Sequence, residues 1–220
     1  MNTKTAIYKD KLKHLGKTLR YSLYVIFHPF DGFWDLTHEK RGSLGAATVI
    51  FIMFILTQIW SWTYSAFPFY FPQWEYFNLF MEILPSAVLF FVWCIANWSL
   101  TTLMDGKGKL SHIYMATAYA LTPYVLIRIP LILLTYILSF DESTYYGVFL
   151  NLSTYWCVIL IIAAMMMIHD YTIGKAIFSS LLTIMAMMII IFLIVMFFSL
   201  ITQSFGYFVA LYKEATFRLF

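Results

Sequence analysis

Five stretches of this chain, roughly 44–66, 79–104, 113–138, 147–168 and 176–202, are apolar nearly throughout. About 20 such residues suffice to cross a bilayer as a helix. In hydrocarbon every backbone N–H and C=O must find a partner within the segment or a closed sheet, so five separate runs of this length dictate five spanning helices. The expected fold class is therefore all-α, a polytopic membrane protein. Composition supports it: 62% of residues are hydrophobic and 11% charged, against about 25% charged in a soluble domain. A soluble enzyme, a disordered tail and a nucleic-acid-binding domain are excluded. Cys94 and Cys157 fall inside the runs, which suits packing thiols and neither a disulfide framework nor a zinc site.

Lys and Arg give the orientation. Of the 14 basic residues, eight precede the first run, from Lys4 to Arg41; Lys107 and Lys109 lie in the second gap and Lys175 in the fourth. The first and third gaps have none. The positive-inside rule places the amino terminus and the loops at 105–112 and 169–175 in the cytoplasm of an inner (plasma) membrane, with the carboxyl terminus outside. Only Lys213 and Arg218 run against that bias. The chain divides into a cytosolic interfacial segment at 1–43, a five-helix domain at 44–202 and a short outer tail at 203–220. The amino terminus is polar and lysine-rich, so no cleavable leader is expected.

Within the first segment, Tyr8, Leu12, Leu15, Leu19, Leu23 and Ile26 recur at three- and four-residue spacing, with Lys9, Lys13, Lys17 and Arg20 between them. That is a basic amphipathic helix. Lying along the anionic inner leaflet is one reading, and docking in a protein groove is another. Pro29 ends it, Phe30, Phe33 and Trp34 suit head-group depth, and Ser43 is placed to cap the first span. The gap from Phe67 to Phe77 is dense in aromatics, which fits an interfacial belt or a sugar-stacking platform.

The run His28-Pro-Phe-Asp-Gly-Phe-Trp-Asp-Leu through Glu39-Lys-Arg-Gly-Ser43, then Asn97-Trp98, Asp105-Gly-Lys-Gly, Ala118-Tyr-Ala-Leu-Thr-Pro-Tyr124, Ile168-His-Asp-Tyr171 and Gly174-Lys175 resembles the bacterial branch of the Yip-one (Ypt-interacting protein) domain family. The resemblance covers about residues 28–202. It implies five membrane helices after a cytosolic amino terminus. Eukaryotic relatives bind prenylated Rab-type GTPases, but nothing in these residues transfers that activity, and the amino-terminal region here is short and basic rather than a long polar extension. Some bacterial relatives sit beside carbohydrate importer components, so importer subunits are the kind of membrane-protein partner the resemblance implies. A second copy of the chain is the other candidate partner.

No catalytic residue, cofactor or metal is expected. His38-Glu39-Lys40-Arg41 lacks the second histidine of a metal helix, and Gly106-Lys107-Gly108-Lys109 is too short for a phosphate loop. Two acid and Gly-Lys combinations, Asp105-Gly106-Lys107 and Asp170 with Gly174-Lys175, recur at matching places in successive hairpins. Ordinary turn chemistry explains the echo; the functional version gathers Asp105, His112, His169, Asp170 and Lys175 at the inner face to hold a partner or a cation. Arg128 lies near mid-membrane, where a charge costs on the order of 3 kcal/mol. Glu82 is the only carboxylate inside any expected span, so a locking ion pair or a polar path through the membrane follows. Pro85, Pro123 and Pro130 should kink their helices. Asn97 should hydrogen-bond between helices, and the methionines of the last two runs should pack flexibly. The expected role is an accessory or scaffold subunit using its cytosolic face, with a small-solute or lipid carrier, its cavity at the Arg128 kink, as the alternative.

Overall fold

The computed structural model describes residues 3–66 and 78–219. They form α1 (Thr3–Phe27), α2 (Pro29–His38), α3 (Leu44–Tyr64), α4 (Leu79–Leu103), α5 (Leu110–Ala120), α6 (Thr122–Leu134), a 3-10 turn (Phe140–Glu142), α7 (Ser143–His169) and α8 (Ile173–Leu219). No strand occurs among the described residues. Counting α5 and α6 as one span, five helical stretches are long and apolar enough to cross a membrane. The protein is an all-α polytopic membrane protein. The aromatic gap at 67–77 lies outside the described residues.

The third span is broken at Leu121, and the local sequence says why. Pro123 has no N–H for the carbonyl of Tyr119, one turn back, and disfavours helical geometry in the residue before it. Two substitutes serve that carbonyl: Thr122 Oγ1 donates to it at 2.7 Å, and the Leu121 N–H is shared between Ala118 and Tyr119. The helix restarts after a bend. It ends at Leu134, four residues short of the expected 138. There Thr135 Oγ1 donates to Ile132 O at 2.6 Å and accepts the Ala66 N–H at 3.0 Å. Tyr136 adds a 2.7 Å bond to Tyr64 O, so the ends of α3 and α6 are tied together. Pro130, in α6, and Pro85, in α4, are exposed, whereas Pro123 is buried.

The core lies toward the end of the bundle that carries the basic residues. Ala116, Ala118 and Ala120 of α5 and Ala163 and Ala164 of α7 are buried, and such small side chains let helix backbones approach closely where the hydrophobic effect gives no drive between helices. Tyr119, Phe33, Leu36, Ile113 and Met165 fill the space around them. Hence α5 is the most enclosed part of any span.

The amino-terminal helices are part of this core. α1 turns Thr18, Ser22, Val25 and Ile26 inward; Thr18 and Ser22 are made tolerable by donating to carbonyls of their own helix. Tyr119, fully buried, donates to Thr18 O at 3.2 Å. Tyr21 donates to Gly32 O at 3.0 Å, closing the α1–α2 corner. Of the leucine stripe, Leu19 lies against the core and Leu23 is 44% exposed. Ser43 caps α3 by accepting the Ala46 N–H at 3.1 Å.

α8 is unlike the others. Its 47 residues measure about 70 Å at 1.5 Å per residue, more than twice a ~30 Å hydrocarbon core. Its first half packs on α4 and α7, while every residue from Phe192 to Glu214 is exposed. The helix continues past 202 without a break.

Candidate functional site

Two helix ends meet at the basic end of the bundle, and they terminate alike. Asp105 after α4 and Asp170 after α7 both adopt left-handed backbone, with φ 58° and 55°. Aspartate is one of the few residues that tolerates this conformation. In each case the next N–H reaches back five residues, Gly106 to Thr101 O at 2.7 Å and Tyr171 to Met166 O at 3.0 Å. This is the Schellman closure of a helix C-terminus. The Asp echo in the sequence is therefore the same cap made twice.

Between the caps lies His169, 2% exposed. The loop Asp105-Gly-Lys-Gly wraps over it, and Gly108 donates its N–H to Nδ1 at 3.2 Å. A backbone amide only donates, so Nδ1 accepts and the ring proton sits on Nε2. Nε2 lies 3.2 Å from Asn97 Oδ1 and donates to it. Asn97, fully buried, donates through Nδ2 to Thr183 Oγ1 at 3.2 Å, and Thr183 donates to Ser179 O at 2.8 Å. One direction of donation runs from loop to α7 to α4 to α8. His169, Asn97 and Thr183 are each engaged along it, as members of a buried polar network should be, while the hydroxyl of Ser179, whose carbonyl ends the chain, is buried without a partner among the described residues.

The loop's glycines are required by closeness. A Cβ on Gly108 would lie 2.5 Å from Ile168 Cγ2 and 2.6 Å from His169 Cε1, and one on Gly106 would lie 2.7 Å from His169 Nδ1. Outside this layer, Lys107 pairs with Asp170 at 2.8 Å, and Tyr171 donates to Met104 O at 3.0 Å. Lys175 Nζ sits 4.4 Å over the Tyr171 ring, which also stacks on His169. Burial, with the Asp105 carboxylate adding to it, pushes the Tyr171 phenol up. Of the expected cluster, Asp105, His169, Asp170 and Lys175 come together. His112 stands apart, half-buried near Lys109 and His38.

Chemically this is a clasp. His169 has both nitrogens engaged and nearly no exposure, so it has no open position for a substrate or an ion in this arrangement. Thr183 was not singled out from the sequence, and the loop glycines were read there as a turn and a family motif and not as a cover for His169. A polar residue in each of two spans, Asn97 and Thr183, was the available signal.

Arg128 is met by other groups. Its guanidinium carbon lies 4.0 Å over the Tyr124 ring, and Nε donates to Ser153 Oγ at 3.4 Å. A cation over an aromatic face gains more when desolvated. Tyr124 in turn donates to Gln58 Oε1 at 2.5 Å. The Glu82 side chain lies outside the described residues.

At the amino-terminal face, Lys9, Lys13, Lys17 and Arg20 are all exposed on one side of α1. Trp34, 43% exposed, stacks on His38 with ring centroids 3.7 Å apart. Arg41 bridges Asp35 at 3.0 Å and Glu39 at 2.6 Å, and these carboxylates hold its guanidinium firmly charged.

No curated protein and no solved structure matches the chain. The Yip1 domain model matches residues 23–212, from the last turn of α1 to near the end of α8, and so takes in α2, the clasp and the helices of all five spans. The chain belongs to the Yip1 domain family.

Proposed function

We propose that this protein is a non-enzymatic accessory or scaffold subunit of the bacterial inner membrane. Its amino terminus and clasp face the cytoplasm, its carboxyl terminus lies outside, and the clasp end presents a fixed surface to a membrane-protein partner such as an importer complex. The observation that carries this reading is the donor chain through His169: a buried chain that engages both ring nitrogens, Asn97 and Thr183 favours one conformation and leaves the imidazole no free position. What remains outward at the clasp is a fixed display of Asp105, Lys107 and Lys175.

The test is purification of the full chain in mild detergent after crosslinking from a single cysteine at Lys107. A stoichiometric membrane protein joined at that site supports the reading; crosslinks only between copies, or none above background, overturn it. A carrier is the second reading, favoured by a groove of about 530 Å³ that touches the Leu121 break. Arg128 is not among the described residues that line it. Time-dependent uptake of a solute into proteoliposomes, absent from empty vesicles, would favour it.

A further inference from the structure

α8 carries more apolar helix than a membrane covers. Its stretch Ile173–Glu214 has 42 residues, about 63 Å at 1.5 Å per residue. Lying wholly inside a ~30 Å core would take a tilt of about 60°, past the roughly 0–40° that spanning helices adopt. The bond from Asn97 to Thr183 also holds the first half along α4. Counted from Lys175, the core is used up in about 20 residues, near Val195. The helix has no proline and runs unbroken to Leu219. About another 30 Å of it therefore stands outside hydrocarbon, and every residue from Phe192 to Glu214 is exposed.

The projecting part is two-sided. Ile194, Phe198, Ile201, Phe205, Phe208 and Tyr212 alternate at four- and three-residue spacing, which is the seam of a left-handed helix pair. Ser199, Gln203, Gly206 and Ala210 follow the opposite line. The four rings of the seam are between 62% and 72% exposed, and outside hydrocarbon such a stripe marks an interaction surface. We propose that it pairs with the same stripe of a second copy of this chain, in parallel and in register, beyond the bilayer at the end away from the clasp. Two copies inserted alike in one membrane stand at the same height, so each seam residue meets its own counterpart across a two-fold axis along the membrane normal. Self-pairing of this kind brings like against like, and no Asp, Glu, Lys or Arg lies between Phe192 and Tyr212 to repel its twin. The area suffices. Aromatic side chains bury about 150–250 Å² each when enclosed, so four rings at this exposure bring about 500 Å² per copy, and the pair reaches the roughly 1,000 Å² at which a specific interface begins. The pairing goes beyond the partner-contact reading, since it lies away from the clasp and calls for no other protein.

The full-length protein is reconstituted in phospholipid vesicles with one introduced cysteine at a time; the native Cys94 and Cys157 are buried, and the unaltered chain gives the background. Under mild oxidation, Ile201→Cys and Phe208→Cys on the seam should form a covalent pair at least about fivefold faster than Gln203→Cys and Ala210→Cys on the opposite line. Joint replacement Phe205→Ser and Phe208→Ser should weaken self-association in detergent about tenfold or more, measured by sedimentation. Thermal unfolding of the bundle should stay unchanged, because both rings are exposed. Covalent pairs formed equally fast from both lines overturn the proposal. So do pairs from neither, the result expected if the helix lies on the bilayer surface or is held by a different protein, and so does a double variant that associates as tightly as the unaltered chain.

Discussion

Gly108 donates its backbone N–H to Nδ1 of His169 at 3.2 Å, and that single bond decides where the imidazole proton is. A loop amide thereby sets the direction of donation through Asn97 to Thr183, 86 residues further along the chain from Asn97. The loop and three helices are one unit.

Gly108→Ala should cost about 1–3 kcal/mol, the usual penalty of forcing extra volume into a packed site, because the new Cβ meets both Ile168 and His169. Gly174→Ala is the control: nothing lies within 4 Å of its Cβ, and in the first turn of α8 alanine is the better helix former. Thermal unfolding in detergent measures both, and equal effects would remove the close-approach argument.

Thr183→Val leaves Asn97 Nδ2 without an acceptor in a buried site, a loss of about 1–3 kcal/mol. Thr183→Ser, which keeps the hydroxyl, should recover more than half. If valine and serine behave alike in the same unfolding assay, methyl packing and not the hydrogen bond holds α8 to α4.

Arg128→Met should destabilise by less than the roughly 3–5 kcal/mol typical of breaking a buried ion pair, since the described partners, Tyr124 and Ser153, are neutral. Double-mutant cycles tell the partners apart. Coupling of about 0.5–2 kcal/mol to Tyr124→Leu marks the ring contact; coupling to Glu82→Gln of similar or greater size is the signature of the proposed ion pair, and strictly additive losses would remove it.

Replacing Lys9, Lys13, Lys17 and Arg20 with Gln should loosen α1 from anionic bilayers, each charge near the surface being worth on the order of 1 kcal/mol. Limited proteolysis of protein reconstituted with phosphatidylglycerol reads this as faster cleavage in the segment, and high salt should do the same to the unaltered chain. Indifference to both lipid charge and salt would leave the docked face of α1 as its whole anchor.

Single cysteines at Asp141 and at Lys107 should label from opposite sides of intact cells, Asp141 from outside. Reaction of Asp141 from the cytoplasm would reverse the proposed orientation.

The spans were legible because length and apolarity alone define a crossing helix. Their contacts were much less so. These helices are apolar almost all round, so no stripe tells which side of α4 faces α8, and the Asn97–Thr183 bond had no periodic signal to announce it. The Asp echo was visible, but its cause, left-handed caps at 105 and 170, is a backbone property that composition carries only faintly. Pro123 announced a bend; Thr122, which makes the bend affordable, looked like any polar neighbour. For α1 the amphipathic pattern was read correctly as a pattern, yet the face that docks includes Thr18 and Ser22, whose polarity is masked by bonds to their own helix.

The last helix leaves the bundle after Ile191 and runs on for about 42 Å, its side chains exposed as far as Glu214. A rigid rod held at one end is a lever. A tilt of about 10° at Ile191 moves the far end by about 7 Å, the width of most of a helix. Because α8 is fastened to α4 through Thr183, any small tilt of its packed half would reach the far end magnified, whichever side of the membrane that end occupies.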